Sequence, residues 1–194
     1  MFRDLVLRNR SYRRFREERA VGLGVLRELT DLARICPSGA NLQPLRYALV
    51  ADRKVNARVF PCLSWAAYLA DWPGPKEGER PAAYIVILHD PAVKESGPGH
   101  DAGIVAQTIL LGAAERGLGG CMIGSIDRER LRGVLDIDPG LEIVLVLALG
   151  EPVDRVVLED LNGDGDIRYW RDESGLHHVP KRPLGRLVVR EFGD

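Results

Sequence analysis

The chain has 194 residues, 45% hydrophobic and 28% charged, a mix that fits a globular domain with a sizeable core and excludes a disordered or fibrous protein. Its 27 basic and 28 acidic side chains leave a net charge of −1, which excludes the broad basic face of a nucleic-acid-binding protein.

The first informative stretch is NRSYRRF, residues 9–15, which sets Arg10, Arg13 and Arg14 beside Ser11 and two aromatics. The plain reading is a solvated turn before the first long helix. The alternative is a local anion site, because guanidinium forks and a serine hydroxyl suit a phosphate. No apolar run at the start has the length of a signal peptide, and no stretch approaches about 18 apolar residues, so a cytoplasmic protein without a membrane span is expected. Cys36, Cys62 and Cys121 are odd in number and widely spaced, which favours a reducing compartment over a disulfide framework or a metal site.

Residues 23–36 predict an amphipathic helix, with Val25, Leu26, Leu29, Leu32, Ala33 and Cys36 on one face and Pro37 as the stop. PSGANLQP (37–44) follows, either a simple loop or a segment offering backbone N–H groups and the Asn41 amide to the polar edge of a flat heterocycle. Strands are predicted at 45–51 and 82–90. Between them Trp65, Tyr68 and Trp72 read first as core or lid residues. Residues 101–117 predict a helix apolar on nearly every side, buried in a core or against a second subunit, with Gly117, Gly119 and Gly120 ending it.

GLGGCMIGS (117–125) carries glycines that permit close backbone approach to a ligand, but it is neither a dinucleotide fingerprint nor a P-loop. A charged helix over 127–135 and a buried strand over 142–150 come next. The stretch 151–183 then reads as a polar, loop-like arm of about 30 residues, a length that suits wrapping a partner. Inside it, Asp160, Asn162, Asp164 and Gly165 imitate a calcium loop, yet Arg171 stands where the bidentate glutamate is required, so a hairpin turn is preferred. VPKRPL (179–184) adds two cations, and 187–192 predicts a final strand. His89, His100, His177 and His178 lack metal-ligand spacing. Strands and helices are mixed without strict alternation, which makes the chain α+β, in one domain over 1–194.

Five motifs in this order resemble the FMN-dependent nitroreductase family: Arg-Ser-x-Arg-x-Phe, Pro-Ser-x-x-Asn-x-Gln-Pro, Gly-Leu-Gly-x-Cys-x-Ile-Gly, Leu-Gly-x-Pro at 149–152, and the basic Pro-Lys-Arg near the end. The resemblance implies a central, mainly antiparallel sheet flanked by helices, a homodimer with FMN at the subunit interface, and a C-terminal arm exchanged between subunits. It also implies NAD(P)H as electron donor and a small-molecule acceptor of nitroaromatic or quinone type. Carried over by position, Arg10, Ser11 and Arg13 resemble the residues that hold the flavin's phosphate, ribityl chain and pyrimidine edge. Pro37, Ser38, Gly39, Ala40 and Asn41 resemble a loop that the partner subunit lays on the isoalloxazine. Ile123 and Gly124 resemble the turn at the central ring, and Lys181 and Arg182 the second half of the phosphate clamp. The resemblance requires no catalytic side chain. Asn9 and Leu45 stand where many relatives carry a basic and an aromatic residue, and Arg14 has no assigned contact. The alternatives are a protein that stores or processes flavin without turnover, a reductive dehalogenase, or a dehydrogenase of a cyclic amide-type substrate.

Overall fold

A computed structural model describes residues 1–161 and 165–193, which fall into two compact units. The first comprises Met1–Trp65 and Pro73–Val153. Its elements in chain order are α1 (Phe2–Arg8), α2 (Leu23–Arg34), β1 (Leu45–Val50), α3 (Arg53–Val59), β2 (Ala83–His89), α4 (Asp101–Glu115), β3 (Gly119–Ile123), α5 (Arg128–Leu135) and β4 (Glu142–Gly150).

The strands form one sheet in the order β1-β2-β4-β3, antiparallel at every pairing. Every residue of β2 is buried. A strand buried on both faces needs cover on both, and its alternating side chains divide accordingly. Ile85 and Ile87 join Leu147 and Leu149 beneath α2 and α4, in a core with Leu26, Leu29, Val105, Ala106, Ile109 and Leu110. Tyr84, Val86 and Leu88 join Val146, Cys121 and Ile123 on the opposite face, against Val59 of α3 and Leu131 of α5. His89 is also fully buried, with Nδ1 2.9 Å from the Glu142 carboxylate and Nε2 2.8 Å from the Lys94 carbonyl. Both ring nitrogens are therefore occupied structurally.

The apolar helix predicted over 101–117 is α4, and its burial is mostly internal. Ile109 and Leu110 are 0% and 4% exposed within their own unit. The face left to solvent carries Gly103, Ile104 and Gln107 instead. The glycine stretch after α4 is an edge strand, β3, rather than a turn. Two helices, α1 and α3, had no sequence expectation; α3 is fixed by Asp52, whose carboxylate accepts from the N–H groups of Lys54 and Val55.

The second unit comprises Ala66–Trp72 and the chain from Asp154 on. The stretch expected to be a loop-like arm forms a sheet. Here β5 (Val156–Asp160) runs parallel to β7 (His177–Lys181), and β6 (Trp170–Arg171) pairs with the other edge of β7. Because β7 lies between β5 and β6, these two strands are not the arms of the expected hairpin. Asn162 and Asp164 of the calcium-loop imitation lie outside the described residues. Rings hold this unit together: Trp170 stacks on His178 with centroids 3.9 Å apart, Tyr68 meets Tyr169 at 5.0 Å, and the Arg171 guanidinium sits 4.5 Å over Trp72. The strand expected over 187–192 is absent: α6 (Leu184–Leu187) occupies its start, and no strand follows among the described residues. No helix among the described residues is long and apolar enough to cross a membrane.

Replacing Ile109 by Asp would put an unpaired carboxylate between α4 and the sheet, where desolvation is uncompensated. A loss above about 4 kcal/mol is expected in urea unfolding. Ile104→Asp, on the exposed face, should cost less than about 0.5 kcal/mol in the isolated chain. Similar losses for both would contradict the helix orientation.

Candidate functional site

The arginine loop begins where α1 stops. Asn9 caps that helix, is buried, and donates its N–H to the Leu5 carbonyl. Arg10 then folds back, with Nη2 donating to the Val6 carbonyl at 2.6 Å. Its Nε is shielded from solvent and has no hydrogen-bond partner. A buried donor in that state is costly unless something accepts from it. Ser11, exposed, bridges Gly120 of β3, and the Tyr12 N–H donates to the Gly120 carbonyl at 3.0 Å. Arg13, half-buried, donates from Nη1 to the Ser11 carbonyl at 3.3 Å.

Arg14 does not point to solvent. Its Nε and Nη2 make a two-pronged pair with Glu79 at 2.8 and 2.6 Å, which fastens the loop to the segment before β2. Two glycines of β3, Gly119 and Gly120, have a packing role. A Cβ at Gly120 would lie 2.6 Å from the Ala148 carbonyl oxygen and 2.6 Å from Leu110, and one at Gly119 would overlap the Tyr12 ring. These two positions let the arginine loop lie flat on the strand.

The second candidate segment, 37–43, is held by a carboxylate that the sequence reading passed over. Asp101, at the first position of α4 and 5% exposed, accepts from the Ser38 hydroxyl at 2.6 Å and from the Gly39 N–H at 3.1 Å. The Ser38 hydroxyl oxygen in turn accepts from the Gln43 N–H at 3.0 Å. Gln43 Nε2 reaches the Asn41 carbonyl and side-chain oxygen, and Arg46 Nη1 caps the Gln43 and Leu45 carbonyls. Within this brace Ala40, Asn41 and Gln43 have φ of 49°, 56° and 52°. Left-handed backbone at non-glycine residues costs about 1–3 kcal/mol each and persists where the surroundings enforce it. A single acidic residue opening an otherwise apolar buried helix is the signal that would have found Asp101.

Beside this loop lies a cleft of about 160 Å³ lined by Cys36, Pro37, Ser38, Gln43, Tyr47 and Asp101, among others. Burial pushes the Tyr47 hydroxyl up to about 12, with the Cys36 and Asp101 charges acting the same way. The Ser38 hydroxyl holds the Asp101 carboxyl below the usual carboxylate range; burial opposes this, and the Gly39 N–H and the charges of Lys94 and His100 assist it.

These two segments do not meet in one chain. Segment 37–43 leads into β1 and the arginine loop lies on β3, the two opposite edges of the sheet, three strand spacings or about 14 Å apart. They also sit at opposite ends of the strands, since Leu45 pairs with His89 while Gly119 pairs with Gly150. Ile123, buried, closes β3, and exposed Gly124 follows it, so these residues share a strand with the docking point of the arginine loop. Lys181 ends β7 and Arg182 follows, both exposed, in the second unit. No group of three or more His, Cys, Asp or Glu side chains is placed to hold a metal among the described residues.

A model of the nitroreductase family matches residues 6–151. Among solved structures, a nitroreductase family protein from Clostridium novyi NT is 24% identical with a TM-score of 0.66, over 79% of this chain and 86% of that one. A nitroreductase family protein from Streptococcus pneumoniae TIGR4 is 15% identical with a TM-score of 0.67, over 98% and 100%. A protein from Clostridium difficile R20291 described as an FMN-dependent nitroreductase is 19% identical with a TM-score of 0.64, over 82% and 91%. At these identities the structural likeness speaks to the fold.

Asp101 yields a prediction with a fixed sign. Its folded pKa lies below the unfolded value of about 3.9, so its contribution is complete above that value and is lost as pH falls through the folded one. Asp101→Asn should lower stability by about 1.5–3 kcal/mol at neutral pH, the scale of a charge-assisted hydrogen bond. The difference from the parent should shrink on acidification below about pH 4. Urea unfolding along a pH series measures both; a difference that stays constant into acid would remove the carboxylate from the brace.

Proposed function

The chain belongs to the nitroreductase family, and we propose that it is a cytoplasmic, homodimeric, FMN-dependent oxidoreductase that uses NAD(P)H to reduce a small organic acceptor of nitroaromatic or quinone type. The observation that carries this reading is the shielded Nε of Arg10, a cationic donor without a partner, in a loop docked on a glycine-rich strand. That is what a phosphate site needs. The odd number and wide spacing of Cys36, Cys62 and Cys121 agree with a reducing compartment.

The residues fit the flavin. Arg10, Ser11 and Arg13 offer guanidinium and hydroxyl donors to a phosphate and its ribityl chain. About 10 Å along the same strand, Ile123 and Gly124 bring the backbone to where a ring would lie. A Cβ built at Gly124 meets nothing within 4 Å, so the approach is open there. What FMN supplies when bound is two-electron chemistry, hydride from NAD(P)H to the acceptor by way of N5. Arg13, if it lay at the N1–C2=O edge of the flavin, would stabilise negative charge in the reduced state. Protons come from solvent, and no side chain is assigned as acid or base.

Separation of the two segments within one chain supports a shared pocket. In the dimer, residues 37–41 of one copy, rigid in their Asp101 brace, would cover the ring held by the arginine loop of the other, with Asn41 at the ring edge. The chain end supports an exchanged arm: Leu184, Leu187, Val189 and Phe192 are 74%, 61%, 90% and 91% exposed. Apolar surface of that kind marks a contact. Lys181 and Arg182, just before it, would complete the phosphate clamp.

Arg10→Ala removes one charge-assisted phosphate contact, a class worth roughly 1.5–3 kcal/mol, so FMN should bind about one to two decades more weakly. Riboflavin, lacking the phosphate, should lose much less; equal losses would move Arg10 away from the phosphate. Asn41→Ala should weaken both ligands alike. Anaerobic titration of the yellow protein with NADH and NADPH tests turnover. Prompt bleaching is expected from at least one, whereas indifference to both would favour a flavin-storing or flavin-processing protein.

A further inference from the structure

A second cavity, of about 80 Å³, opens within the first unit between α3 and the start of β2. Alanines, Pro81 and Phe60 form its apolar wall, and the Arg80 guanidinium sits 4.6 Å over the Phe60 ring. Three polar atoms of its lining residues are buried and have no hydrogen-bond partner: Asn56 Oδ1, Arg80 Nε and the Tyr84 hydroxyl. Asn56 is 7% exposed and Tyr84 fully buried. One orphaned atom can be an accident of packing, but three on residues around one cavity point to a partner for them there.

Their roles are fixed by what surrounds them. Asn56 Nδ2 donates to the Ala82 carbonyl at 2.6 Å, which leaves Oδ1 as an acceptor. Arg80 Nε can only donate, and the Tyr84 hydroxyl can do either. One oxygen of the nearby Glu17 carboxylate, Oε2, accepts from the Gly78 N–H at 2.6 Å and the Arg80 N–H at 3.3 Å.

We propose that this cavity binds the carboxamide group of a small neutral molecule. The amide carbonyl would accept from Arg80 Nε and the Tyr84 hydroxyl, while the amide NH₂ would donate to Asn56 Oδ1. A carboxylate would oppose acceptor to acceptor at Asn56 and lie near the Glu17 charge. An ammonium would face Arg80. The space exceeds that of one water and matches a group of a few heavy atoms.

The test is a titration of the full-length protein, ¹⁵N-labelled and as purified, with acetamide, acetate and methylammonium. Side-chain and backbone amide shifts at Asn56, Ala82 and Tyr84 are the readout, and none depends on flavin. Acetamide should give saturable shifts with a dissociation constant on the order of millimolar, as its size permits, and the two ions should give none. Tyr84→Phe and Arg80→Met should each weaken acetamide about tenfold. Arg80, half-buried, supplies the decisive variant if the core substitution fails to fold. Acetate binding as tightly as acetamide would overturn the proposal. Shifts that do not saturate, or that titrate with undiminished affinity in Arg80→Met, would leave the cavity to ordered water and overturn it as well.

Discussion

The first unit is built around the complete burial of β2. Seven consecutive buried residues cannot lie at the edge of a sheet or on its surface, so β1 and β4 must flank the strand and helices must cover both faces. That single demand places α2 and α4 on one side and α3 and α5 on the other, and it puts β1 and β3 at opposite edges. The segments with chemical character are attached to those edges. Their separation follows from the strand order and cannot be closed by side-chain movement.

Two different devices hold these segments. The arginine loop is held on a surface: Arg14 is clamped to Glu79, Phe15 is fully buried, and Gly119 and Gly120 keep the strand flat enough for Tyr12 to lie on it. Segment 37–43 is held from within, by one carboxylate at a helix start and by backbone forced into the left-handed region. Both segments are therefore braced by contacts within the chain itself.

Much of this was legible in the sequence because burial leaves a periodic trace. The strands at 45–50, 83–89 and 142–150 and the helices at 23–34, 101–115 and 128–135 all carry it. Gly119 and Gly120 hid β3, since their missing side chains read as turn signals when they in fact admit a neighbour. Short strands among charged residues, such as HHVPK, have no alternation to detect, so the sheet of the second unit read as a loop. LVVREF has the composition of a strand, yet an exposed chain end gives it nothing to pair with. Asp101 left one trace, a lone carboxylate opening an apolar helix, but the group it holds, Gly39, lies 62 residues away. Sequence proximity says nothing about such a pair.

The bridge between Ser11 and Gly120 has a consequence for solubility. β3 is an edge strand, and an edge offers its unpaired backbone groups to any extended chain that comes near. Tyr12 takes the Gly120 carbonyl and its ring covers Gly119, so the arginine loop also guards the part of the edge with the fewest side chains to defend it. Anything that tightens the grip of that segment on the strand protects the folded chain from its own copies.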